Sequence, residues 1–326
     1  MSLVKQVNSV PKLNDDTGFS NTGIINGSRF INKDGTFNLH KKGPFWDRFS
    51  IFYTMINLPL WQFICIIVSF FFSINLLFTG FYWLIGADQF TGFISSTPGK
   101  IFKELYFFST ETFTTVGYGR VNPIGDLANL VASVEAMSGF LSFALATGLI
   151  YGRFARPRAH VAFSDNAVIA PYKDKTALMF RFVCFKQHHA LSDVTVQVNM
   201  AMMVSKNGGE AKYQYYTLNL ERGKIESMPM NWTVVHPIDD QSPLVGFTSE
   251  DLAANDVEVY VLIRGFNDVY GNTVQQRTSY TYPEIHFNRK FIPMYHETAN
   301  GTVLELHKLS KHEAIKSQSE YSALVP

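Results

Sequence analysis

The chain has 326 residues, among them 29 Phe and two Cys, and a formal net charge of +1. That length suits about two domains. The near-neutral charge gives no bulk basis for binding nucleic acid, and Cys65 and Cys184 form neither a disulfide framework nor a zinc spacing. Mean hydropathy is +0.01, the average of a very apolar first half and a polar second half. No nucleophile–base constellation stands out, so an enzyme is not expected, and no cofactor motif is present.

Residues 1–43 are rich in Asn, Gly, Ser and Lys, which predicts a flexible tail and no signal peptide. Phe45, Phe49, Phe52 and Ile56 then recur at helical spacing, with Asp47, Arg48 and Thr54 off the stripe. That is the pattern of a helix lying in a membrane interface. Pro59 separates it from the next segment. From Phe49 to Ala87 no residue is charged, a run far longer than the roughly 20 residues that cross a bilayer. A first span is predicted over residues 60–85, with Trp61 and Phe81-Tyr82-Trp83 as interfacial anchors.

After a polar loop, Pro98 opens an amphipathic segment to Thr112 with Ile101, Leu105 and Phe108 on one stripe. It is too short to span, and fits a re-entrant helix, tolerated at membrane depth only when surrounded by protein or lining water. Its C-terminal end favours a cation. Thr114-Thr115-Val116-Gly117-Tyr118-Gly119 comes next. Stripping water from an ion requires a ring of replacement oxygens. Gly117 and Gly119 accept the positive φ angles that alternate carbonyls need to face one axis, with the Val116 and Tyr118 side chains turned back as braces and the Thr115 hydroxyl below. One chain supplies one wall, so the motif implies a symmetric ring of subunits.

A second span is predicted over residues 127–151, with Glu135 its only charge. A carboxylate facing lipid is costly, so its home is the subunit interior near the re-entrant helix or a watery cavity. Gly139 and Gly148 read as hinge points. Lys41, Lys42 and Arg48 precede the first span, and Arg153, Arg156 and Arg158 come after the second, which places both termini in the cytoplasm. Beyond Pro157 the texture changes. Val194–Met200 and Val257–Arg264 alternate at the strand period, Asn207-Gly208-Gly209 reads as a hairpin turn, and further strands are predicted at 159–170, 177–186, 213–221, 232–238 and 277–287. Seven or so strands suggest an antiparallel immunoglobulin-like β-sandwich over 158–308, with a flexible tail at 309–326. His188 and His189 read as surface residues, and Asn26, Asn231 and Asn300, on the cytoplasmic side, as unglycosylated.

Three stretches carry a family resemblance: Thr110 through Gly119, containing TVGYG; Gly148 through Arg158; and Gln275-Gln276-Arg277-Thr278-Ser279-Tyr280. TVGYG is the sequence of potassium selectivity filters. With its spacing, the chain resembles a prokaryotic inward-rectifier potassium channel from about residue 44 to about residue 295. The resemblance implies a membrane α plus all-β fold. It has an interfacial slide helix and a two-transmembrane-helix pore with a re-entrant pore helix together over residues 44–157, and the cytoplasmic sandwich after them. It implies a homotetramer in the bacterial inner membrane. Potassium would be the permeant ion, held by backbone carbonyls of Thr115, Val116, Gly117, Tyr118 and Gly119.

The same resemblance assigns the remaining sites. Glu111 would support the filter through an ion pair. The usual Asp after GYG is Arg120 here, which suggests Glu111–Arg120. Phe143 and Tyr151 lie within about 80° of each other on a helix and would line the cavity, the alternative being ordinary packing. Phe143 stands where strong rectifiers carry an acid, so rectification and block by magnesium or polyamines would be weak. Tyr151 would close the inner gate. Phe266, Tyr270 and Gly271 match a second, cytoplasmic constriction. Arg153, Arg156 and Arg158 suit anionic or phosphoinositide-type lipid headgroups. A two-span channel with a nucleotide-binding domain would require an α/β texture and a Gly-rich loop, both missing. A membrane-anchored binding sandwich would leave the filter motif unexplained.

Overall fold

Two short helices, α1 (Phe45–Arg48) and α2 (Ile51–Asn57), stand where the sequence predicts one interfacial helix. The Ser50 hydroxyl accepts the Tyr53 N–H at 3.3 Å and N-caps the second piece, a role Ser favours, so the break falls before Pro59 as well as at it. The computed structural model describes residues 11–14, 29–187, 189–204, 212–299 and 301–315. They divide into two units, Lys42–Arg156 and Pro157–Pro326 with Met1–Lys41. His188, the turn at Asn207-Gly208-Gly209, and Asn26 and Asn300 lie outside the described residues.

In the first unit, Pro59 is the N-cap of α3 (Leu60–Ile85), matching the predicted first span. The polar loop holds β1 (Phe90–Thr91), α4 (Pro98–Phe113) is the short amphipathic helix, and β2 (Asn122–Pro123) pairs back onto β1. The hairpin-like return brings the chain to α5 (Asp126–Phe154), continuous through both Gly139 and Gly148. Both α3 and α5 are long and apolar enough to cross a membrane. Leu105 and Phe108, on the predicted stripe of α4, are buried with Phe78, Tyr82, Phe90, Val121 and Ala128. Tyr82, Phe90 and Phe108 meet edge to face at 5.3–5.5 Å, a favoured ring geometry. Tyr82 is fully buried and is therefore not the interfacial anchor its sequence position suggests. Trp61, Phe81 and Trp83 remain exposed.

The second unit is a sandwich whose strands are more numerous than the sequence predicts. They run β3 (Val161–Phe163), β4 (Ala167–Tyr172), β5 (Lys175–Cys184), β6 (Leu191–Val204), β7 (Lys212–Thr217), β8 (Lys224–Met228), β9 (Trp232–Ile238), β10 (Glu258–Asn267), β11 (Asn272–Thr281) and β12 (Ile285–Phe287). After these come β13 (Arg289–Phe291), β14 (Tyr295–Thr298), β15 (Gly301–Leu304) and β16 (His312–Ala314). One sheet has the order β11-β10-β6-β7 with β8 on β6, the other β12-β4-β5-β3 with β9 on β5. Leu178, Phe180 and Phe182 of one sheet and Val198, Met200, Val259 and Val261 of the other share one buried core, which makes the pair a sandwich. Against expectation, β12 pairs with β4 in parallel, and the stretch 159–170 is two strands rather than one. A helix, α6 (Ser249–Ala254), is started by a Thr248–Asp251 capping box.

Both predicted tails need correction. Residues 312–314 pair with 289–291, and Leu309 is buried against Val183 and Met294, because the strand after Asn288 requires a partner. At the other end, residues 29–38 are bound to the sandwich. The buried Glu258 carboxylate accepts the N–H groups of Phe30 (3.0 Å) and Ile31 (3.4 Å). Ser279, Thr278 and Gln276 donate to the carbonyls of Ile31, Lys33 and Asp34 at 2.5, 3.2 and 3.1 Å. Composition misjudged this segment because much of its grip is backbone, which any residue supplies, and its one buried apolar side chain, Ile31, packs among Ala201, Tyr213, Tyr215 and Tyr260 far along the chain.

Buried His236 on β9 links Asn219 and Ser242. Its Nδ1–H donates to the Asn219 carbonyl at 2.6 Å, so Nε2 accepts the Ser242 hydroxyl at 2.8 Å. Burial holds this imidazole below its ordinary 6.5. The unfolded chain then binds the proton that the folded one refuses. The contribution is full above about 6.5 and is lost as pH falls from there through the folded-state value. The melting temperature of the detergent-solubilised protein is expected to fall between pH 7.5 and 5, with a shallower slope for His236→Gln. Equal slopes would refute the assignment. His160 and His312 are shifted the same way by burial, so the comparison between variants, not the absolute slope, isolates His236.

Candidate functional site

The stretch between α4 and α5 alternates in backbone handedness. Thr115, Gly117 and Gly119 have φ of 62°, 55° and 78°, and no positive angle intervenes at Val116 or Tyr118. Two of the three are glycines, which visit this region freely. Thr115 is strained there. The strand is tied down at its lower end by Thr115 N–H to Thr112 O (3.0 Å) and by Val116 and Gly117 N–H to the Glu111 carbonyl (2.9 and 3.2 Å). At its upper end, Asn122 Nδ2 donates to the Gly119 carbonyl at 2.6 Å. Within one chain Val116 is 53% and Tyr118 81% exposed. The bracing wall that the sequence reading gives these side chains is therefore not supplied by the chain itself.

Arg120 is not paired with Glu111. Its Nη1 lies 2.6 Å from Glu104 Oε2 and 3.3 Å from the Gly92 carbonyl, and Glu104 also accepts the Ile94 N–H at 3.2 Å. The cause is the re-entrant path. After descending α4 the chain climbs back, so residue 120 ends level with Glu104 in the middle of the helix, about 10 Å from residue 111 along its axis. Among the described residues Glu111 forms no ion pair, while its backbone carbonyl accepts the N–H groups of Val116 and Gly117. Partly exposed, the Glu104–Arg120 pair contributes at most about 1 kcal/mol, but it fastens the outer end of the strand to the helix behind it.

Below Thr115 an open apolar hollow of about 800 Å³ is bounded by Phe70, Phe71, Phe113, Phe140, Phe143 and Leu149. Phe143 and Tyr151 are each 73% exposed within one chain, and Phe143 borders the hollow. Among the described residues no acidic side chain lines the hollow. At the end of α5, Arg153 donates to the Ile56 carbonyl at 3.2 Å and lies 5.4 Å over the Phe63 ring, while Arg156 donates to Asn57. Arg153 thus satisfies a backbone carbonyl at the C-terminal end of α2, where cations are favoured, and Arg156 binds the side chain of that helix's last residue. Arg158, in the other unit, is exposed.

In the sandwich, Phe266, Tyr270 and Gly271 sit at the tip of the β10–β11 hairpin. Asn267 Oδ1 accepts the N–H of Val269 (3.0 Å) and Tyr270 (3.3 Å), and Gly271 has φ 61°. The Gln275–Tyr280 motif lies on β11. Its Gln276, Thr278 and Ser279 hold residues 31–34, which explains the motif in terms the sequence alone did not offer. Sequence reasoning also missed Glu104, Glu258 and the partners of Glu135. The signal for each was an acid in an apolar or alternating run, without indication of what it meets.

Residues 161–324 match the inward rectifier potassium channel C-terminal domain. Over 278 residues the chain is 32% identical to "Inward rectifier potassium channel Kirbac3.1" of Paramagnetospirillum magnetotacticum, covering 84% of this chain and 91% of that one. The chain belongs to the inward rectifier potassium channel family. It is 26% identical to "ATP-sensitive inward rectifier potassium channel 12" of Gallus gallus over 91% of this chain and 74% of the relative, and at the same level to that of Homo sapiens, over 91% and 73%. As an inward rectifier potassium channel it is a membrane protein of ion transport and not an enzyme. The two apolar helices and the β-sandwich are the fold expected of that family.

Proposed function

We propose that four copies of the chain form a potassium-selective pore through which ions pass passively, with backbone carbonyls of Thr115–Gly119 replacing the ion's water. The alternation of backbone handedness over Thr115, Gly117 and Gly119 carries the reading, since it turns successive carbonyls toward one side of the strand. The exposed Val116 and Tyr118 leave a face for neighbouring subunits to cover. Tyr151 closes the inner end by steric plugging and dewetting, Phe143 contributes an uncharged wall that gives weak block by magnesium or polyamines, and Gly148 is the point at which α5 bends. The tip at Phe266, Tyr270 and Gly271 forms a second constriction. Arg158, with Arg153 and Arg156 where they are not engaged by α2, meets anionic lipid headgroups. Both termini are cytoplasmic by the positive-inside rule, in a bacterial inner membrane.

The test is cation uptake into liposomes carrying the purified protein. Wild type is expected to take up K⁺ and Rb⁺ over Na⁺ and to lose that preference in Gly117→Ala, because an L side chain resists φ 55°. Tyr151→Ala is expected to raise uptake severalfold without changing ion preference. Absence of selectivity in both wild type and Tyr151→Ala, with and without anionic lipid, would refute the filter reading.

A further inference from the structure

The one carboxylate deep inside a membrane span is fully buried and joins three helices. Glu135 of α5 accepts the hydroxyl of Tyr82 from α3 on one carboxylate oxygen and the hydroxyl of Ser109 from α4 on the other. Ser109 Oγ also lies 3.1 Å from both the carbonyl and the side-chain oxygen of Asn75 on α3. Asn75 is fixed in turn by donating to the Phe71 carbonyl at 2.7 Å, and Thr79 donates to the Asn75 carbonyl at 2.6 Å. Asn75, Thr79 and Ser109 are all fully buried. A hydroxyl has one proton, and of the three acceptors around Ser109 the Glu135 carboxylate is nearest.

The register makes this node more than a buried curiosity. One turn beyond Ser109 on α4 is Phe113, and one turn beyond Glu135 on α5 is Gly139. A Cβ on Gly139 would stand 1.9 Å from the Phe113 carbonyl oxygen. Helices α4 and α5 therefore meet at two successive turns, about 6 Å apart, once through a hydrogen bond and once through close backbone approach. Two points fix the axial position of α4, whose last residue is two short of Thr115. A hydrogen bond into a span is most easily met by a backbone carbonyl. A side-chain acceptor with two separate oxygens can hold α3 and α4 at once.

We infer that Glu135 is a positioning residue for the filter, an acceptor shared by α3 and α4 that sets where the re-entrant helix delivers Thr115–Gly119. The inference rests on the filter reading of that stretch. Misplacement of the strand changes which ion fits, whereas loss of stability only reduces the number of working channels. The ratio of Rb⁺ to Na⁺ uptake in liposomes thus separates the two roles, because it does not depend on how many channels are present.

Glu135→Leu removes both hydrogen bonds and is expected to lower that ratio about tenfold or more, one buried hydrogen bond alone accounting for up to about tenfold. Glu135→Gln, which keeps an acceptor for one hydroxyl, should fall between Leu and wild type. Ser109→Ala and Tyr82→Phe each remove one donor while leaving the carboxylate, and are expected to lower the ratio severalfold. They decide the matter if Glu135→Leu does not assemble. A wild-type ratio near one would overturn the filter reading itself. A selective wild type, with the ratio unchanged in Ser109→Ala, Tyr82→Phe and every Glu135 variant that assembles, would overturn the positioning role and leave the filter reading standing.

Discussion

Gly139→Ala is expected to abolish ion uptake by the reconstituted channel and to reduce the yield of assembled protein. The added methyl would lie 1.9, 2.8 and 3.0 Å from the oxygen, carbon and Cα of Phe113. All three are backbone atoms, so no rotamer change relieves the clash, and α4 and α5 must separate by about 1 Å or more. Overpacking of this kind costs roughly 1–3 kcal/mol even where side chains can yield. Gly148 supplies the control. Nothing lies within 4 Å of a Cβ there, and alanine gains up to about 1 kcal/mol of helix propensity over glycine. If Gly139 served as a flexible hinge, as its sequence position suggests, the two substitutions would harm gating alike. If it serves as a point of close approach, only Gly139→Ala disrupts assembly. Wild-type uptake from Gly139→Ala, with normal size-exclusion behaviour, would sink this account.

Glu258→Ala should free residues 29–38 from the sandwich. The carboxylate is 4% exposed, and burial pushes it above the usual carboxylate range despite the N–H groups that favour its charge. Removing it strands the N–H groups of Phe30 and Ile31, at about 1–3 kcal/mol for each buried donor left unsatisfied. Ser279, Thr278 and Gln276 still grip the carbonyl side, and Arg29 still meets Glu284 at 2.5 Å, so the segment loosens rather than the domain unfolding. Cleavage by trypsin at Arg29 and Lys33 is expected to accelerate about tenfold or more, as local opening becomes easier. Glu258→Gln, which keeps an acceptor oxygen, should accelerate it far less. Cleavage rates equal to wild type in Glu258→Ala would show that the carbonyl-side bonds suffice.

The sequence was most readable where one physical requirement acts on a whole segment. Uncharged length marked 60–85 as a span, Pro59 marked its start, and Ile101, Leu105 and Phe108 marked the buried face of α4. It was least readable where a side chain's partner lies far along the chain. Arg120 reached Glu104 instead of Glu111 because the return path, not spacing, sets its level. Tyr82 looked like an interfacial aromatic, yet turns inward to a carboxylate 53 residues away. Residues 29–38 are bound by backbone groups together with the buried Ile31 and the Arg29–Glu284 pair, whose partners lie more than 150 residues away and leave no local period, and the parallel pairing of β12 with β4 comes from a chain crossing that alternation does not encode. The tail beyond Leu309 was misread for a related reason: a three-residue strand is too short to show a period.

The alternating strand at Thr115–Gly119 can also be described as a question of chirality. A backbone that changes hand at every residue suits a polymer of alternating L and D units, and ribosomal chains approximate one by placing achiral glycine at every second site. Gly117 and Gly119 therefore stand in for D-residues, and the methyl of a D-alanine there would match the backbone that an L-alanine opposes. At Thr115 the stand-in is missing, and an L-residue holds the D-like angle, with its strain confined to the innermost position of the strand.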